Sequence, residues 1–198
     1  LALRGNGVGQ EPRRVAASER DRQTRAGPLA AYVLSDEDIE LRARLLSLAD
    51  RHGHATIVVP PDAEGAGYVF SVGAWRRFGV AEAVVIGLDQ GMGETLVNAY
   101  VKRASAGERF VPGQLYFDFF NGVPITFERV YKGFYPEFLG SAYLLYDGSE
   151  FAAVQIIVPT PQGHWPWQPD APAGFGDHQL VLTESGVPES WTPGVNGP

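Results

Sequence analysis

The sequence predicts one α+β domain carrying a mainly antiparallel sheet of five or six strands and two principal helices. Three observations lead there. Five or six short β-branched or aromatic runs are separated by Gly and Pro signals. Two longer stretches carry a helical spacing of apolar residues. Helices and strands are largely segregated, and only the connection over 90–106 is long enough for a crossover helix, which disfavours a doubly wound parallel sheet.

Taken in order, residues 1–28 hold Arg, Gly, Ala and Gln with almost no large apolar residue after Leu3, and read as a flexible Arg-rich tail. The α+β domain is expected over 29–184. Ser35-Asp36-Glu37-Asp38 supplies an N-cap and three acids that complement a helix dipole. Ile39, Leu41, Leu45, Leu46 and Leu48 then predict the buried stripe of that helix, and Gly53 its end. Strands are expected at 54–59, stopped by Pro60-Pro61, at 68–72, and at 82–88, where the nearly continuous apolar run suits a central position. A second helix over 90–106 is predicted to bury Met92, Leu96, Ala99 and Tyr100. Asn121-Gly122 predicts a two-residue type I′ hairpin between strands 114–120 and 123–130. Asp147-Gly148 predicts another between 141–146 and 151–158. Prolines crowd the chain from Pro159, so 159–176 is expected to be ordered but irregular and 185–198 a flexible C-terminal tail.

Composition bounds the function. Of 198 residues, 44% are hydrophobic and 20% charged, which suits a globular core, and there is no cysteine to form a disulfide, a thiolate nucleophile or a sulfur metal site. No run approaches the roughly 18 apolar residues of a membrane span, and the N-terminus shows no signal-peptide core. These features give the expectation of a cytoplasmic protein. The net charge of −7 divides into +3 over residues 1–26 and −10 over the rest. An acidic body argues against nucleic acid as a partner, because phosphate contacts need a cationic face.

Motifs for chemistry are sparse. His52-Gly53-His54 has no acid at a metal-ligand spacing, and a three-histidine site would need the distant loop residues His164 or His178, so no metal site is expected. Ser71 sits inside a strand rather than on a Gly-x-Ser-x-Gly elbow, and Ser141 has no assignable base. Glu108, Asp118, Glu128 and Glu137 show no pairing that sequence can place. The string from Gly87 to Glu94 has no Lys-Ser/Thr, and Asp89 and Glu94 would repel an anion, so no nucleotide cofactor is expected. The most unusual segment is Gln162-Gly163-His164-Trp165-Pro166-Trp167. Two indoles around a proline favour a pocket or an interface, or else fold back to plug the open side of the sheet, and Trp75 on the turn Gly73-Ala74-Trp75-Arg76-Arg77 can extend them into an aromatic wall with cations beside it. The expected binding residues are therefore Trp75, Trp165, Trp167, Tyr68, Arg76 and Arg109. The expected function is non-enzymatic capture of a protein or small-molecule ligand. The alternative is a small-molecule enzyme using His164 with Glu82 or Glu108 as acid–base groups.

Three stretches, in order, resemble the uncharacterised bacterial family called domain of unknown function 4262. Tyr68 to Gly79 running into Ala83 to Leu88 resembles the family's Tyr-Thr-Val-Gly-Leu strand followed by Phe-Gly-His-Pro-Glu-Leu. Gly107-Glu108-Arg109-Phe110-Val111-Pro112-Gly113 is the second stretch. Val154 to Pro159 leading into Gly163-His164-Trp165-Pro166-Trp167 is the third. The resemblance spans about residues 50–170. Where the family has His-Pro this chain has Val80-Ala81, its Trp-Pro-Asp becomes Val158-Pro159-Thr160, and the acid after Pro-Trp becomes Gln168, leaving Glu82 as the surviving acid of those motifs. The resemblance implies no activity. In layout the chain is also similar to Suppressor-of-Fused-like domains, whose bacterial versions are associated with toxin immunity through partner binding. That similarity implies an immunity-like module.

Overall fold

The structure is a computed structural model that describes residues 35–63 and 65–191. Residues 1–28, and 192–198 of the expected C-terminal tail, lie outside the described residues.

Six strands form one sheet: β1 (Ala55–Val59), β2 (Tyr68–Val72), β3 (Glu82–Ile86), β4 (Leu115–Tyr116), β5 (Ile125–Arg129) and β6 (Ala153–Ile157). Their order is β1-β2-β3-β6-β5-β4. Every neighbouring pair is antiparallel except β3 and β6, which run parallel, so the sheet is mixed. The helices are α1 (Asp36–His52), α2 (Ala74–Phe78), α3 (Gln90–Ser105), α4 (Tyr135–Phe138), α5 (Gly140–Tyr146) and α6 (Phe175–His178), with a 3-10 turn over Lys132–Phe134. Among the described residues, no helix is long and apolar enough to cross a membrane.

The first helix follows its sequence signals at both ends. Ser35 and Asp38 form a reciprocal capping box, and the N–H of Gly53 (φ 88°) donates to the carbonyl of Ala49. Gly53 has a second reason to be glycine: a Cβ there would lie 2.5 Å from the Phe78 ring. The buried stripe is narrower than expected. Leu45 and Ala49 are buried and Leu46 and Leu48 pack beside them, but Ile39 and Leu41 are 53% and 39% exposed.

Side chains alternate across the strands and divide between two large clusters. On one, Leu96, Val97, Tyr100, Val101 and Ala104 of α3 cover Val69, Ala83, Val85, Ile125, Phe127 and Ile156. Gly93 allows this approach, since a Cβ would fall 2.8 Å from Val69 Cγ2. The helix is rotated relative to the expected face, so Met92 is 46% exposed and Ala99 only half-buried. On the other cluster, Leu45 and the residues Tyr135, Phe138, Leu139, Ala142 and Leu145 cover Phe70, Val72, Val84, Ile86 and Ala153.

Two expected hairpins are absent. The register Tyr116↔Ile125 leaves 117–124 as a loop in which Gly122 (φ 77°) is one bend, not a two-residue turn. Packing explains it: Phe119 turns inward against Phe110 and Phe127, with the Arg103 guanidinium 4.3 Å above its ring. The run 141–146 is helix α5 rather than a strand. Leu139, Ala142 and Leu145 recur at helical spacing and are buried, and Asp147 (φ 56°) ends the helix.

Residues 159–176 are irregular, and the segment that follows is fastened to the sheet by two buried amides. Gln155 donates to the carbonyl of Leu180 (2.6 Å) and accepts from the N–H of Leu182 (2.7 Å). Gln179 accepts from Val158 N–H (2.9 Å) and donates to its carbonyl (2.8 Å). Each side-chain amide pairs with one backbone N–H and one carbonyl, so the irregular backbone is hydrogen-bonded to the sheet where it crosses it. Within 185–191, part of the expected flexible tail, the Ser190 N–H reaches Glu128 and the Trp191 indole donates to Thr126 (3.0 Å), while 185–187 and 189 stay exposed.

Candidate functional site

Glu82 opens the apolar strand β3 and is wholly buried. Its carboxylate accepts from Ser71 Oγ (2.5 Å), Gly73 N–H (2.9 Å), Trp75 N–H (3.1 Å) and the Tyr146 hydroxyl. Tyr146 Oη in turn accepts from the N–H groups of Gly73 and Arg76. Gly73 carries φ 105°, and a Cβ there would lie 2.5 Å from Ala49 Cβ, so only glycine makes this turn beside α1. Thus one acid ties β3 to the turn that presents Trp75. Burial pushes the Glu82 carboxyl above the ordinary carboxylate range, against the opposing pull of its hydrogen bonds, and the Tyr146 phenol is pushed upward by burial and by Glu82.

That shift has a pH consequence. A carboxyl whose folded-state pKa is raised binds its proton more tightly folded than unfolded. Its stabilising contribution is complete below the ordinary carboxylate pKa and is lost as pH rises through the raised value. Glu128, also raised by burial, acts in the same direction. Denaturation midpoints measured from acid to neutral pH should therefore fall across that window in the wild type. They should fall less in Glu82→Gln, and an equal fall in both would rule out Glu82 as the source.

The Trp-Pro-Trp segment behaves differently from a binding lip. Trp165 is 3% exposed and Trp167 half-buried. Their rings stack at 5.2 Å, and Trp191 meets both edge-on at 5.0 and 4.9 Å. Ile157, Val181 and Leu115 complete this cluster. Sequence does not mark Trp191 as part of this cluster, because its Pro-rich surroundings read as tail. The signal was the indole itself, out of place in a solvated segment.

Trp75 stands apart from that cluster, 36% exposed. It lines an open groove of about 610 Å³ together with Phe110, Pro112, Arg129, Lys132, Tyr135, Glu150 and Phe151, and with Ala152 and Val154 near the start of β6. Lys132 Nζ pairs with Glu150 at 3.1 Å. The Tyr135 hydroxyl is occupied by the carbonyl of Phe151. Neither Trp165 nor Trp167 lines this groove.

The other candidates are dispersed. His164 lies 3.6 Å from Asp170, Glu108 is bound to Arg103 (which also holds Asp118 at 2.5 Å), and Glu82 is sealed under Tyr146. The hydrogen bonds and ion pairs among described residues join none of these three to another. Tyr68 donates to the carbonyl of Glu137 (3.0 Å) and packs on Phe138, so it serves the core. Arg76 and Arg77 flank a smaller hollow with Ala49 and Asp50, and Arg109 is exposed. Among the described residues, no group of three or more His, Asp or Glu is arranged to hold a metal ion.

No curated protein and no solved structure matches the chain. A family profile described as Domain of unknown function (DUF4262) matches residues 48–172. The matched span takes in every strand of the sheet, Glu82 with its hydrogen-bond donors, and the whole lining of the groove. It stops before the segment 175–191 that covers Gln155 and Trp165. With more than half its length inside that match, the chain belongs to the DUF4262 family.

Proposed function

We propose that this protein is a binding module that captures a small apolar ligand in the groove walled by Trp75 and Phe110. The observation carrying the reading is the groove itself. Its volume of about 610 Å³ falls within the roughly 300–1,000 Å³ typical of small-molecule sites, and its walls are largely aromatic and aliphatic. The partly exposed Trp75 indole gives a ligand a large, flat apolar surface to cover. The backbone that presents it is held by a fully buried carboxylate, which preorganises the wall and lowers the entropy cost of binding. The three-tryptophan cluster contributes stability in this reading, and capture rests on Trp75. An acid–base enzyme is the less favoured reading because His164, Glu82 and Glu108 each have separate partners.

The neutral fluorophore N-phenyl-1-naphthylamine tests this. Saturable binding is expected for the wild type, weakened about tenfold or more by Trp75→Ala, as for a central aromatic contact. Trp167→Ala is expected to leave it unchanged. Because Trp75 reaches Glu82 through its backbone N–H, alanine preserves that bond and the fold. Equal binding by wild type and Trp75→Ala overturns the reading.

A further inference from the structure

The charges around the groove narrow its ligand further. Three charged side chains line it: Arg129, Lys132 and Glu150. Lys132 and Glu150 form an ion pair, 3.1 Å apart, and cancel locally. Arg129 closes β5, where its backbone is fixed in register opposite Val154 of β6. Its guanidinium has no hydrogen-bond or ion-pair partner among the described residues, and it is exposed. Arg103, whose guanidinium lies over the Phe110 ring, is already taken up by Glu108 and Asp118. The indole N–H of Trp75 likewise makes no hydrogen bond among the described residues. The groove therefore offers one uncompensated cation and one free donor beside aromatic walls, in a chain whose net charge is −7.

We infer that the groove takes a small organic monoanion, a carboxylate or sulfonate on a flat apolar body, with the anionic group on Arg129 and the body against Trp75 and Phe110. This rests on the binding reading above and names its ligand class. A guanidinium fork matches a carboxylate or sulfonate by paired hydrogen bonds, and such charge-assisted bonds exceed neutral ones. A cationic ligand finds no uncompensated acid. An extended peptide finds no free edge at β6 either. β6 is paired by β3 on one side and β5 on the other, and the carbonyls of Ala152 and Ala153 already accept from Glu82 and Val130.

Two fluorophores with matched aromatic bodies separate the inference from the reading it rests on. Anilinonaphthalene sulfonate carries one anion, and N-phenyl-1-naphthylamine carries none. The wild type is expected to bind the anionic probe about tenfold more tightly at low salt, with the preference shrinking as salt rises. Arg129→Gln should abolish that preference, whereas Arg129→Lys, which keeps the positive charge, should retain part of it. A neutral probe that binds through Trp75, with no anion preference or one that survives Arg129→Gln, overturns the inference and leaves the groove reading standing. Failure of both probes removes the groove reading, and the inference with it. Capture of a peptide C-terminus by a groove that refuses the anionic probe also overturns the small-molecule class.

Discussion

Glu82→Ala is expected to destabilise the fold by about 3 kcal/mol or more, among the largest effects of any single substitution in this chain. Alanine removes one acceptor set and leaves the hydroxyl of Ser71 and the N–H groups of Gly73 and Trp75 without it. A buried donor left unpaired costs about 1–3 kcal/mol, so two or three such losses compound. Gly73 N–H keeps a contact to Tyr146 Oη at 3.2 Å, which limits the loss but does not cancel it. Glutamine should recover much of the difference. It retains an acceptor of the same shape, and the charge it gives up is the form that burial already disfavours. Urea denaturation of the wild type, Glu82→Ala and Glu82→Gln measures this directly. An alanine variant within about 1 kcal/mol of wild type, a difference ordinary for a surface site, would show that the carboxylate is not the clamp described here. Because the same carboxylate fixes the Trp75 turn, Glu82→Ala should also weaken probe binding, even at temperatures where the variant remains folded.

Much of the fold was legible because its signals are local. Ser35 with Asp38, and Gly53, state both ends of α1 through side-chain and backbone hydrogen bonds within a few residues. The apolar run from Glu82 to Ile86 reads as a central strand because β2 and β6 pair both its edges while α3 covers one face and side chains of α1, α4 and α5 cover the other. The failures are where distant packing overrides local preference. Asn121-Gly122 has the composition of a tight turn, yet Phe119 gains more from Phe110, Phe127 and Arg103 than from strand pairing. The aromatic run 141–146 has strand-like composition, yet Leu139, Ala142 and Leu145 are buried together only on a helix. The parallel pairing of β3 with β6 has no local signature, since the connection between them runs from 87 to 152.

The candidate site was legible in pieces. Sequence singles out both Trp75 and Glu82, the one on a Gly turn as an extension of the Trp165 and Trp167 wall and the other as an acid–base candidate. That the second positions the first depends on Ser71, Gly73 and Tyr146 converging from three elements, which no spacing reveals. Arg129 escaped notice because an arginine at a strand end is ordinary, and only its lack of a partner in an aromatic groove distinguishes it.

Trp165→Ala should cost about 3–5 kcal/mol, the range for emptying a buried aromatic site. The indole is 3% exposed and touches Trp167 and Trp191 as well as Ile157 and Val181, so its removal opens a void that several neighbours line. The loss should also propagate along the chain. Trp191 would lose one of its two ring partners, while Ser190 on Glu128 and the amide bonds of Gln155 and Gln179 remain to hold 179–191 in place. Limited proteolysis of Trp165→Ala is therefore expected to cut first within the irregular 159–176 stretch, where few hydrogen-bonded elements resist local opening. Trp167→Ala, half-buried and at the cluster's edge, should cost less. The decisive comparison crosses the two indole sites. Trp165→Ala should lower the denaturation midpoint while leaving the Trp75 groove able to bind a neutral fluorophore, and Trp75→Ala should do the reverse. Matched losses of stability and binding in both variants would mean that the sheet end and the C-terminal cover act as one unit, and that the Trp-Pro-Trp segment belongs to the ligand site after all.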